Sequence, residues 1–560
     1  MLKRRQLIQL SSVVAVAVAG AGTAAWMVFG WRGPRGAPAL GGGPFRHYPF
    51  DPVAAENFQQ KLFVPVASGP FGVLDVVAPL KIRATAASFP LLPGLASQAP
   101  SPFLMYQTEH AGQAYQNPIL RIESGARFAA SLDNALTEPT IIHWHGLHTP
   151  AKMDGHPGDT IGPGARYDYD FTVRNRGGTY WYHTHAHELT AKQAYNGLAS
   201  FFLVDDEDQR KLAKALDLKL GVTDLPLVIQ DKQFDAQGHL VYRPNAHESM
   251  MGWLGDIVLA NLTPNAVHTV TPRTYRLRLL NGSNARIYRL AFVMGETSLP
   301  FTVIGTDGGL IERPETVTEV FLAPGERLDV LFDAAQARPG DTVFLRSLAF
   351  DPMENEGEMV GMGGMGSQGG QGMSQMMAGM GSSRLPLGAA FNVVKLSVAA
   401  GERVVATLPA VLSEVKPIRT EGVAERKLEL SMQAMRFLIN GRTFRMDEIA
   451  FEVKRGAVEI WRISNPKVGM PHPMHIHGFS FQVLERLHSP PQWSATARFG
   501  KGRAVSDLGW KDTVLVWPGE TVRIAIDFAH DSPGTQTYVF HCHNLEHEDA
   551  GMMINFRVQA

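Results

Sequence analysis

Four times the chain places two histidines one residue apart: His143 and His145, His183 and His185, His475 and His477, His541 and His543. On a strand, residues i and i+2 share a face about 7 Å apart. Each pair can therefore offer two imidazoles to one metal ion or to two neighbouring ones. Imidazole suits Cu, Zn, Fe and Ni. A single such pair carries little weight, but four at matching points of two repeated segments do. Eight imidazoles exceed the needs of one metal and suffice for a cluster of three.

The chain has one cysteine, Cys542, between His541 and His543. An internal disulfide is excluded, and a lone cysteine is ordinarily a small buried hydrophobe or a free thiol. Its neighbours change that reading. His547 and Met552 follow at offsets of five and ten, and His472 stands three residues before His475. Two imidazoles, a thiolate and a thioether form the ligand set of a blue-copper electron-transfer site. Because adjacent strand residues point to opposite faces, Cys542 faces one metal while His541 and His543 face the cluster.

The elements that must hold these residues are strands. Thr179–His185 matches Thr537–His543, each followed by a glycine and another strand pattern, and His143-Trp144-His145-Gly146 matches His475-Ile476-His477-Gly478. The first and third segments therefore read as copies of one β domain. Period-2 alternation at 119–122 and 167–171 in the first segment, at 227–230, 275–280, 328–332 and 393–398 in the middle one, and from Leu428 to Val558 in the third marks half-buried strands. A short helix is expected near Asp205–Leu218. The middle segment has no His-x-His and reads as a structural spacer.

Length and composition agree. The 560 residues allow several domains, and the 45% hydrophobic and 19% charged residues are an ordinary globular mixture. A net charge of −1 gives no reason to expect a nucleic-acid partner. Lys3, Arg4 and Arg5 precede an apolar run from Val13 to Phe29, which reads as an export signal resembling the twin-arginine type, or else as an uncleaved membrane anchor. The expected division is signal or anchor 1–35, a linker or extension at 36–75 rich in Pro and Gly, and β domains at 76–210, 220–400 and 420–560.

Together these segments resemble the multicopper oxidases, the family of laccases, ascorbate oxidase and bacterial copper-efflux oxidases. The resemblance spans about residues 75–560 and includes Leu279–Ser283, Thr306–Gly309 and Ala323–Arg327 in the middle segment. It implies an all-β fold of three cupredoxin-like Greek-key sandwiches and four copper ions. It implies that His472, Cys542 and His547, with Met552 axial, bind the type 1 copper. His143 and His475 would bind the type 2 copper, and His145, His183, His185, His477, His541 and His543 the type 3 pair. It further implies that Asp154 and Glu548 serve proton delivery as dioxygen becomes water, the alternative being that both are structural hydrogen-bond acceptors. His148, His156 and His187 are expected to lie at the surface or behind the ligands. Copper storage without turnover and a relative stripped of its metals are the competing readings; the intact His₂Cys set and the complete histidine set argue against them.

The substrate is the least legible feature. Between Met353 and Met380 lie eight methionines, among them Met353, Met359, Met362 and Met365, in a 353–383 insert otherwise mostly Gly, Ser and Gln. Such a segment cannot build a packed core, and thioethers select Cu(I). It reads as a collector of cuprous ion, and Met470 matches a substrate-copper methionine of the copper-efflux oxidases. Val468, Phe350 and Asn355 stand where that group has acids and a methionine. Cu(I) oxidation in copper tolerance is therefore the first expectation, with laccase-like oxidation of phenols, or of Fe(II) or Mn(II), as the alternative. The protein is expected to be an exported monomer, periplasmic or on the outer face of the membrane.

Overall fold

The computed structural model describes residues 57–88, 102–355, 382–433 and 436–560. The apolar run from Val13 to Phe29 and most of the methionine insert, including Met359, Met362 and Met365, lie outside these residues. Among the described residues no helix is long and apolar enough to cross a membrane.

Strands dominate, and among the described residues six sheets pair into three two-layer sandwiches. Each has its own apolar core: Trp144, Phe128 and Phe202 in the first, Phe292, Phe301 and Phe332 in the middle, Trp461, Phe540 and Phe556 in the third. The alternating stretches become strands, such as Arg166–Thr172 in the first sandwich and Asp224–Phe234, Thr274–Asn281 and Arg327–Asp333 side by side in the middle one. The expected helix spans Glu207–Leu216. Asp206 caps it by accepting from the Gln209 amide, and Leu212 and Leu216 turn inward.

The 36–75 stretch departs from expectation over its described part. Gln60–Lys61 pairs in parallel with Ala266–Val270 of the middle sandwich, and Gly69–Pro70 and Val73–Asp75 join the two sheets of the first. The cause is a sparse set of apolar anchors, Phe58, Leu62, Phe71 and Leu74, all buried. Their contribution is masked in the sequence by the surrounding Pro and Gly.

The duplicated segments fold alike. Ile142–His143 pairs with Gly178–Thr184, placing His143 opposite His183. His472–Ile476 pairs with Gln536–Cys542, placing His475 opposite His541. The strand bearing the second histidine pair is interior in both sheets, flanked on its far side by Ala199–Asp205 or Met553–Gln559.

Candidate metal centre

The eight paired histidines converge between the first and third sandwiches, every one buried. His143 stacks on His477 and His145 on His475, each with ring centroids 3.7 Å apart, so the two strands cross with their histidines in opposite order. Three nests of ring nitrogen result. His143 Nε2 and His475 Nε2 lie 3.3 Å apart. His541 Nε2 lies 3.1 Å from His477 Nε2 and 3.4 Å from His185 Nε2. His145 Nδ1 lies 3.3 Å from His183 Nε2, with the His543 ring packed beside both.

The second nitrogen of most of these rings is anchored, which fixes the first one inward. His143 Nδ1 donates to the Asp154 carbonyl at 2.8 Å, His183 Nδ1 to the Thr184 carbonyl at 2.8 Å, and His541 Nδ1 to the Cys542 carbonyl at 3.0 Å. His475 Nδ1 donates to the Asp512 carbonyl at 2.8 Å and His477 Nδ1 to Asp154 Oδ2 at 2.7 Å. His145 is turned the other way: its Nε2 donates to Asp512 Oδ1 at 3.0 Å, leaving Nδ1 to face His183.

Burial, the largest influence on each, holds His143, His145, His477 and His543 well below the usual imidazole range, and His183 and His185 down to about 3. Neutral imidazole is the metal-binding form. Both ring nitrogens of His543 are buried without a hydrogen-bond partner, a cost a protein sustains where a ligand satisfies them. These residues fit a metal cluster.

A second site lies on the other face of the Cys542 strand, inside the third sandwich. His472 Nδ1, His547 Nδ1 and Cys542 Sγ form a triangle with sides of 3.2, 3.5 and 3.6 Å. His547 Nε2 donates to the Met250 carbonyl at 2.8 Å, and Phe437 stacks on the same ring. Met552 is buried in the same core, its carbonyl accepting from the Cys542 amide at 3.0 Å. Burial pushes the Cys542 thiol up, so a bound cation is what would hold it as thiolate.

Three family profiles described as multicopper oxidase match residues 106–209, 230–355 and 419–560. A multicopper oxidase of Staphylococcus haemolyticus is 32% identical over 446 residues, 79% of this chain and 81% of that protein. A laccase of Bacillus subtilis is 32% identical over 441 residues, 74% and 78% respectively. Among solved structures, the multicopper oxidase McoA of the hyperthermophile Aquifex aeolicus is 39% identical, covers 90% of this chain and all of its own, and superposes with a TM-score of 0.76. The chain belongs to the multicopper oxidases. Its three sandwiches are cupredoxin domains, it binds copper, and it is an oxygen-dependent oxidoreductase.

Both acids singled out in the sequence border the histidine cluster of the oxidase. Asp154 bonds His477 from its side chain and His143 from its backbone, and burial pushes its carboxyl well above the usual range. Glu548 Oε1 lies 3.5 Å from His185 Nδ1, and its Oε2 lies 3.2 Å from His541 Nδ1. His148, His156 and His187 stand outside the nests, against Ser480, Asn555 and Phe444 respectively. Met470 is buried two residues from His472, and the Met353 amide donates to Asp351. Asp512, which holds both His145 and His475, carries no mark in the sequence: its role rests on tertiary contacts, to His475 37 positions away and to His145 367 positions away. The middle segment is also more than a spacer, since it supplies the Met250 carbonyl to His547 and Arg327 to Asp512.

Proposed function

We propose that the oxidase removes electrons singly from a reduced substrate and uses four of them to reduce dioxygen to water. His472, Cys542 and His547, with Met552 as a further donor, would hold a type 1 copper. His143 and His475 would hold a type 2 ion. His145, His183, His185, His477, His541 and His543 would hold a type 3 pair. When bound, copper supplies the one-electron chemistry that no side chain here can.

One observation carries this reading: eight buried imidazoles, most with one nitrogen anchored and the other turned into a shared space. The chain's own residues do the rest. Cys542 is peptide-bonded to His541 and His543, so it provides a covalent route between the two sites. The carbonyl anchors and Asp512 fix the tautomers in advance. Asp154 and Glu548, each within reach of a ring nitrogen, hold and pass the protons that dioxygen reduction consumes.

Cu(I) is the substrate this reading favours, in the service of copper tolerance. Supporting it are the soft thioethers of Met470, Met353 and the insert with Met359, Met362 and Met365. Several features favour the laccase-like alternative. Val468 is 52% exposed with no acid in its place. Phe350 packs on Phe321 and Trp517, the Asn355 amide is engaged with the His488 carbonyl, and a laccase is among the relatives. Deleting 354–382 decides between them. With Cu(I) as substrate, cuprous oxidation falls sharply while phenol oxidation holds or rises; unchanged Cu(I) kinetics leave a general laccase. The basic head at Lys3–Arg5 supports export to the periplasm or the outer face of the membrane. Replacing Arg4 and Arg5 by lysine should retain the protein inside, and normal export of that variant would refute the twin-arginine reading.

A further inference from the structure

The middle domain contributes no histidine, yet one of its side chains reaches the frame of the cluster. Arg327 opens the strand Arg327–Asp333 and is fully buried. Its guanidinium touches all three domains. Nε donates to the Thr179 carbonyl at 3.0 Å, on the strand that carries His183. Nη1 donates to Asp512 Oδ1 at 2.8 Å and to the Gly325 carbonyl at 3.0 Å. Nη2 donates to Asp512 Oδ2 at 2.5 Å and to the Asp307 carbonyl at 2.9 Å. Every N–H of the fork is used, and the pair with Asp512 is bidentate.

Asp512 in turn governs one imidazole from each ligand-bearing domain. Its side chain takes the Nε2 proton of His145, and its backbone carbonyl takes the Nδ1 proton of His475. These opposite choices turn His145 Nδ1 and His475 Nε2 inward. The same middle-domain turn leaves the space His543 needs: a Cβ added at Gly325 would lie 3.0 Å from that ring.

We propose that Arg327 is a positioning residue for the trinuclear cluster, clamping Asp512 so that His145 and His475 keep the tautomers and spacing that copper requires. The proposal rests on the copper reading above. Lysine in its place keeps the charge but loses the fork, and cannot hold Asp512 and Thr179 together.

The test compares Arg327→Lys, Asp512→Asn and the double variant, all loaded with copper, with wild type. In each variant the blue absorbance and its rate of reduction by substrate should match wild type. Cluster copper should be lost to a chelator about 10- to 100-fold more readily, with an altered type 2 electron-spin signal. The double variant should be no worse than Asp512→Asn, because both changes act through one carboxylate. Unchanged chelator resistance and an unchanged type 2 signal in Arg327→Lys overturn the proposal, as does a double variant whose loss is the product of the two single ones. Should Arg327→Lys not fold, Arg327→Gln with Asp512→Asn removes both buried charges together, and wild-type copper retention in that pair overturns the proposal equally. A wild type that takes up no cluster copper overturns the copper reading itself.

Discussion

The first and third domains share one backbone scaffold and differ in what fills it. In the third, the Cys542 amide donates to the Met552 carbonyl, and the Met552 amide to the His547 carbonyl. In the first, the Thr184 amide donates to the Leu198 carbonyl, and the Leu198 amide to the Gln193 carbonyl. The His541 and His183 rings bond the following carbonyl in the same way. Thr140 precedes His143 by three residues, as His472 precedes His475. Position for position, the proposed ligands His472, Cys542, His547 and Met552 are thus replaced by Thr140, Thr184, Gln193 and Leu198.

The replacements satisfy one another. Thr140 Oγ1 and Thr184 Oγ1 each donate to Gln193 Oε1, at 2.9 and 2.6 Å, and all three residues are fully buried. A neutral hydrogen-bonded plug occupies the place of a metal. The cupredoxin frame therefore does not require the ion. On the proposed reading, the ligands specify where electrons enter, while the two frames jointly specify where dioxygen is reduced.

If that equivalence is right, its largest consequence is constructive. The substitutions Thr140→His, Thr184→Cys, Gln193→His and Leu198→Met together should create a second blue centre, adding one copper per chain and a second thiolate absorbance. A folded variant that binds no additional copper would limit the equivalence to the backbone.

A smaller effect concerns what the domains exchange. Asp154 of the first holds His477 of the third, and Glu548 of the third faces His185 of the first. Asp154→Asn and Glu548→Gln should slow dioxygen reduction about 10- to 100-fold while leaving reduction of the blue copper unchanged. Stopped-flow mixing resolves the two steps, and equal slowing of both would count against proton delivery. The smallest effect is at the plug. Thr184→Ala removes one of two hydroxyls from Gln193 and should cost about 1 kcal/mol in denaturant unfolding, with copper content and turnover unaltered; lost turnover would give Thr184 a role beyond packing.

The sequence made most of the site legible for a geometric reason. Strand periodicity puts both histidines of each pair on one face, and the alternation at Cys542 separates the two sites, so local spacing marks the candidate ligands. What it hid depends on long-range contacts. Arg327 and Asp512 meet across 185 positions, and neither residue type signals copper. The strands at Gln60–Lys61 and Gly69–Pro70 are too short to show a period and exist only because partners are supplied from elsewhere. The plug carries no mark in the sequence, since Thr and Gln in a strand or helix look like any polar residue until their partners are seen. The spacer reading of the middle domain failed similarly: the missing His-x-His was visible, but the guanidinium reaching out of it was not.

Copper counted per chain in wild type and in Cys542→Ser, together with the visible spectrum, tests the two-site account most directly. A hydroxyl cannot replace the thiolate, but the eight histidines of the cluster remain untouched. The account predicts four coppers and a blue colour in wild type, and three coppers, no blue colour and substrate oxidation at background in a folded Cys542→Ser. Retained oxidase activity in Cys542→Ser, or a wild type holding a single copper, would contradict it.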